Sequence, residues 1–381
     1  MLERARDRRR STWNPVAALV RRPGALSSLA LATAVSAFAA LAPRPSGAQA
    51  TTPGMPAPAG GKRTGITPPW RMSIRADNDA FNFWRPITDR PDKEYTNGDE
   101  VSFELSAAPW WGKQFARRRR PCTGTEPAGE RCLTTALSIA QDMYTPKPGH
   151  EPRMIATWRD ERPYAAWLYG TAEARVLDER SLRTVALSLG VTGPPAAGEF
   201  AQRTAHKLTG VYSRQPVGWD TQIGFEPGVV VTVRDTRRFA ARTAAGRAVA
   251  DLLPHAGISL GNVLTEAEVG FRTRLGVNLS NPWWTSEWRT RAPFELYLLG
   301  GARGEAVARN ITLDGNTFHA DRSVDRVPFV GEYTVGIGAR AHGLVAEWRA
   351  VTRSREYRTG PTAHAYSVLY AGYEVPARRA P

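Results

Sequence analysis

The chain has 381 residues, 42% of them apolar, with 51 Lys and Arg against 36 Asp and Glu and a formal charge of +15. That length allows one large domain or two ordinary ones, and that apolar share supports a folded core but not a bundle of membrane-spanning helices. The positive balance points to an anionic partner such as phosphate or a charged lipid head group; the charges are scattered without an RNA- or DNA-binding motif, and an export signal argues against nucleic acid.

Residues 1–50 have the anatomy of a signal peptide. An arginine-rich region from Arg4 to Arg22 leads into an apolar run, Ala25 to Leu41, and a Pro-containing stretch ends in Ala48-Gln49-Ala50, a small-residue cleavage pattern. The run is short for a spanning helix and small residues dominate it, so a cleaved signal is favoured over an anchor. Residues 51–68, rich in Pro, Gly and Thr, are expected to form a disordered lead-in. The two cysteines, Cys122 and Cys132, would form a disulfide in an oxidising compartment; the alternative is two free thiols.

From Trp70 on, no long helical period is present. Alternating apolar and polar residues predict strands at 70–78, 98–107, 134–143, 164–175, 182–192, 222–234, 247–259, 266–279, 292–302, 329–341, 343–354 and 364–374. Twelve strands, with aromatic residues near their ends, predict an all-β fold: a twelve-stranded antiparallel transmembrane β-barrel over 69–375, with a tail at 376–381. A soluble β-sandwich is the competing fold. One segment breaks the pattern. Residues 198–210 have helix formers, a Gly193-Pro194 lead-in and a terminal Gly210, and predict a short loop helix with Gln202 and His206 on one face.

Strand parity puts the connections after strands 1, 3 and 5 at one rim. They carry Asp79 and Thr96, then Arg153 and Arg162, then Gln202 and His206. His206 is the natural general base, since an imidazole takes a proton from water near neutral pH. The plainer reading is a surface histidine on a loop helix. Asp77, Asn78 and Asp79 offer hard oxygen ligands that suit Ca²⁺ better than zinc, although Asn-Asp pairs are also ordinary turn formers. A cation or backbone amides there would stabilise the oxyanion formed when water attacks an ester. Gly257-Ile-Ser-Leu-Gly261 matches a nucleophile elbow, but strand continues on both sides, so it is set aside.

The ordered set Asp77-Asn78-Asp79-Ala80-Phe81, Tyr95-Thr96-Asn97-Gly98, Ala140-Gln141-Asp142-Met143-Tyr144, Gln202 to His206 and Gly218-Trp219-Asp220-Thr221-Gln222 resembles the lipid A 3'-O-deacylase family, outer-membrane barrels of Gram-negative bacteria. The resemblance implies Ca²⁺-dependent hydrolysis of the ester holding the 3'-linked acyloxyacyl group on lipid A or a related anionic outer-leaflet lipid. It implies His206 as base, Asn78 and Thr96 as catalytic partners, and Asp77 and Asp79 as metal ligands. It further implies Gln202, Arg153, Arg162 and Tyr212 as substrate-binding residues. Two other readings are a phospholipase-type lipid hydrolase and a non-catalytic barrel acting as a pore or surface-binding protein.

Overall fold

The computed structural model describes residues 66–67, 69–82, 94–106, 120–123, 126–127, 129–146, 160–209, 217–243, 246–283, 294–375 and 378–379. The expected signal peptide and nearly all of the lead-in lie outside the described residues. The chain divides into two compact units: one holds 49–200 and 216–381, and the other includes 201–215.

The first unit is a closed antiparallel barrel. Its strands are β1 (Trp70–Asn78), β2 (Glu94–Leu105), β3 (Cys132–Thr145), β4 (Ala165–Leu177), β5 (Ser181–Thr192) and β6 (Pro227–Arg237, resumed as Phe239–Arg242). They continue as β7 (Ala248–Gly261), β8 (Leu264–Leu279), β9 (Phe294–Asn310), β10 (Phe329–Ala341), β11 (Leu344–Ser354) and β12 (Ala363–Val375). Both runs of β6 pair with β7, so they count as one strand interrupted at Arg238. β12 pairs with β1 from Val375↔Trp70 to Ser367↔Asn78, which closes the sheet and leaves the barrel no open edge. Ile66–Thr67 pairs with Arg378–Arg379, so part of the expected lead-in lies against part of the tail. Among the described residues no helix is long and apolar enough to cross a membrane.

The expected strands hold to within a few residues at most ends. Three differ more. β2 starts at Glu94 rather than 98, because a bulge between Tyr95 and Asn97 keeps a loop-like polar run in the ladder. β6 is displaced toward 242, and β9 runs on to Asn310 rather than ending at 302.

Alternation sorts side chains into two environments. The outward faces carry exposed Leu137, Ile139, Leu187, Leu189, Val229, Val231, Leu296, Leu298, Val335 and Ile337, as a hydrocarbon-facing wall requires. The lumen is filled with ion pairs. Arg71 joins Glu374 at 2.7 Å, Arg175 joins Glu104 at 2.8 Å, and Arg303 joins both Glu305 and Glu332 at 2.8 Å. Such pairs give up hydration to form, so their net stabilisation is small. Losing one partner would nevertheless strand a buried charge.

The connections after β1, β3, β5, β7, β9 and β11 share one rim; the one after β5 contains the loop helix α1 (Gly198–Thr209), and the one after β9 begins with the short helix α2 (Ile311–Asp314). The other rim carries the Cys122–Cys132 disulfide and a buried cluster of Cys122, Cys132, Leu177, Leu253 and Trp283.

Candidate active site

Register fixes which rim residues face the bilayer. Arg71, Arg75 and Asp77 of β1 line the lumen, so Met72, Ile74, Ala76 and Asn78 face outward. Directly opposite residues in an antiparallel pair share a face. Their outward partners on β2 are therefore Phe103, Val101, Asp99 and Asn97. Beyond these on β3 lie Leu137, Ile139, Gln141 and Met143. Close to the helix-bearing rim this apolar surface changes character: Asn78, Asn97, Asp99 and Gln141 form a polar patch on the outward wall. Asn78 Nδ2 donates to Asn97 Oδ1 at 3.0 Å, and Asn97 Nδ2 donates to Asp99 Oδ2 at 2.9 Å. Polar groups on a lipid-facing wall are costly and mark functional positions.

The two ends of the β5–β6 connection, up to Phe200 and from Val217 on, are seated beside this patch. The lead-in turn, Pro194–Ala196, accepts a hydrogen bond at the Ala196 carbonyl from Gln141 Nε2, at 2.5 Å. Trp219, Tyr164, Met143, Ala166 and Ala196 pack into one buried cluster, and Tyr164 Oη donates to the Val217 carbonyl at 2.7 Å. Gly198 opens α1 because a Cβ there would overlap the Trp219 ring and the Ala166 methyl. Further along the helix, Gln202 and His206 lie one turn apart on one face, and both are buried.

Behind the wall the chemistry differs. The Asp77 carboxylate points into the lumen, 3.5 Å from Arg75, and Tyr95 Oη sits 3.1 Å from both Asp77 Oδ2 and Asp142 Oδ1. One phenol proton thus serves two carboxylates. Gly98 permits this, since a Cβ would collide with the Tyr95 hydroxyl. Thr96, at the bulge, is buried with its hydroxyl 2.6 Å from that of Thr145. Asp79 is buried in the single 3-10 turn after β1.

Arg162 is fully buried and braces the rim. Its Nη1 donates to Glu94 Oε2 and Glu356 Oε2, both at 3.2 Å, its Nη2 donates to Thr312 Oγ1 at 3.2 Å, and its guanidinium lies 4.3 Å from the Tyr144 ring centre. Tyr357 Oη donates to Glu94 Oε1 at 3.0 Å. Burial alone would raise the Glu356 carboxyl, but the guanidiniums of Arg353 and Arg162 hold it down to about 2. Glu226 joins two further loops by accepting from Thr317 N, Thr317 Oγ1 and Asn262 Nδ2, each at 2.6 Å; these bonds outweigh burial and depress its carboxyl as well.

The structure therefore brings Asn78 together with Asn97, Thr96 with Thr145, and Arg162 with Glu94 and Glu356. It turns Asp77 to the opposite face from Asn78. Arg153 and Tyr212 lie outside the described residues. The sequence reading did not single out Asp99 and named Gln141 only within a resembling stretch, although counting back by twos from Phe103 and Val101 reaches Asp99 on the same face. Calcium prefers hard oxygen donors, and the outward patch supplies them in Asn78 and Asp99, with Asp79 following at the rim. Asp77 does not fit that side. Among the described residues no group of three or more His, Cys, Asp and Glu forms a metal site.

A family model described as outer membrane protein LpxR matches residues 29–375. Among solved structures, LpxR from Salmonella typhimurium is similar at 19% identity with a TM-score of 0.61, covering 80% of this chain and 99% of its own. At that identity the likeness shows the fold. The β-domain of the Bordetella autotransporter BrkA matches at 11% identity over 81% of this chain and 98% of its own, with a TM-score of 0.39. The translocator domain of NalP from Neisseria meningitidis matches at 10% over 81% and 88%, with a TM-score of 0.35. No curated protein matches the chain. The family match spans the whole barrel and the helix-bearing connection, and the chain belongs to the LpxR family of outer membrane proteins.

Proposed function

We propose that this protein is an outer-membrane esterase that hydrolyses the 3'-linked acyloxyacyl ester of lipid A. The observation that carries the reading is the polar patch of Asn78, Asn97, Asp99 and Gln141 on the bilayer-facing wall, beside the seated ends of the helix-bearing loop. A lipid ester in the outer leaflet meets the wall from that side. The crowded ion pairs of the lumen favour this over a pore.

In this mechanism His206 takes a proton from water as the water oxygen attacks the ester carbonyl. The tetrahedral intermediate collapses, the carbon–oxygen bond to the sugar breaks, and His206 returns the proton to the departing alkoxide. Gln202, one helical turn away, orients water or substrate. The Asn78 amide faces the developing oxyanion, and Thr96 fixes the bulge that presents Asn97. Calcium, where bound, would supply positive charge against that oxyanion; Asn78, Asp79 and Asp99 would hold it.

The test is mass spectrometry of lipid A from cells expressing wild type or His206→Ala, with and without a calcium chelator. Loss of the 3'-acyloxyacyl unit with wild type alone, abolished by chelation, is expected. Unchanged lipid A with folded protein in the outer membrane would sink the substrate assignment. Fatty acid released from phosphatidylethanolamine in the same cells would reassign the site to phospholipids.

A further inference from the structure

The lumen contains an open cavity of about 530 Å³. Most arginines around it are held close by carboxylates, as Arg71, Arg175 and Arg303 are at 2.7–2.8 Å. Three are not. Arg75 stands 3.5 Å from Asp77 and 3.4 Å from Glu100, while Arg272 and Arg349 share Glu347 at 3.6 and 3.7 Å. Among the described residues these three donate no side-chain hydrogen bond, and the buried Nε atoms of Arg75 and Arg349 have no acceptor. Glu347 is already engaged by Tyr297 Oη at 3.0 Å.

Register places these loosely held groups together. Tyr370 of β12 is flanked by Arg75 on β1 and Glu347 on β11, and Val368 is flanked by Asp77 and Arg349. The two rows thus set cation beside anion across roughly 10 Å of wall, twice the strand spacing. Arg272 reaches the same Glu347 from β8. The two buried Nε donors are costly without acceptors, while the Arg272 side chain, 45% exposed, is open to the lumen; an oxyanion satisfies several such donors at once through paired N–H groups.

We propose that this cavity binds a small soluble oxyanion of the phosphate or sulfate class between Arg75, Arg272 and Arg349. A lipid is disfavoured as the source because continuous strands separate the cavity from the bilayer. The site is distinct from the outward patch and does not depend on the esterase reading.

The experiment is calorimetric titration of the whole barrel in zwitterionic detergent with inorganic phosphate, against chloride at matched ionic strength. Folding is checked by heat-dependent gel mobility. One saturable phosphate site is expected. Arg272→Gln with Arg349→Gln should weaken it at least about ten-fold, the loss of a bidentate contact or more. Glu347→Gln should tighten it several-fold, because it removes the competing carboxylate. A purely structural ion-pair lattice predicts no saturable phosphate site in wild type or in Glu347→Gln, so this variant keeps the test decisive even if the double variant fails to fold. Binding no stronger than chloride, or weaker binding in Glu347→Gln, would overturn the proposal.

Discussion

Asp77 and Asn78 are neighbours in the chain and stand on opposite faces of the barrel wall. Asp77 lies in the lumen beside Arg75 and Tyr95, and Asn78 pairs with Asn97 on the outward face. A lipid ester reaches only the outward face. On the proposed esterase reading, Asn78→Ala is expected to slow lipid A deacylation by about 10²-fold, the usual cost of losing one oxyanion donor. Asp77→Asn should keep most of the activity. Initial rates of purified, folded variants on lipid A, read by mass spectrometry, separate the two; equal losses would mean that the two faces do not divide the roles.

Glu356 sets a pH window for the rim. Its carboxyl is depressed from an ordinary 4.5 to about 2, so its contribution is complete above pH 4.5 and fades as pH falls toward 2. At about 1.4 kcal/mol per pH unit, that contribution is at most about 3 kcal/mol. Thermal unfolding of wild type and Glu356→Gln should therefore differ most near neutrality and converge in acid. A gap that stayed constant from neutral pH to about pH 2 would assign the loss to packing rather than to charge.

Much of the barrel was legible because period-two alternation and turn residues are local signals. The predicted span of β10, 329–341, coincides with the observed strand. The site was legible only in part, for reasons that are not local. The bulge between Tyr95 and Asn97 shifts the parity of β2, so the facing of Glu94 and Tyr95 cannot be counted from Phe103. Arg162 read as a rim arginine open to a ligand; its partners Glu94 and Glu356 lie 68 and 194 residues away, and only closure of the barrel brings them to it. Asp99 was masked by its neighbours, because Asn97-Gly98-Asp99 resembles turn chemistry.

Gly198 tests whether the helix-bearing loop must sit close to the wall. A side chain there would push against Trp219 and Ala166, both of which are buried. Gly198→Leu is expected to leave strand pairing and heat-dependent gel mobility unchanged while activity falls at least about ten-fold, since small misplacements of a catalytic group are costly. Full activity in a folded Gly198→Leu barrel would show that the seat of the loop does not matter. Gly198→Ala, with a single methyl, should be intermediate.

Asp99 offers the sharpest contrast between structure and function. It accepts from Asn97 at the edge of a wall that is otherwise Val101, Phe103, Ile139 and Leu137 on the same face. A carboxylate facing lipid is unfavourable, so Asp99→Leu should make the barrel as stable as wild type or more so in a bilayer, by up to about 2 kcal/mol. If the carboxylate belongs to the esterase site, the same variant loses activity and its response to calcium, while Asp99→Asn retains part of the activity with a weakened calcium dependence. Unfolding in phospholipid bilayers and calcium titration of deacylation would be measured side by side. A variant that was stable and fully active would remove Asp99 from the mechanism; one that was inactive because it failed to fold would mean that the Asn78–Asn97–Asp99 chain holds the wall together instead.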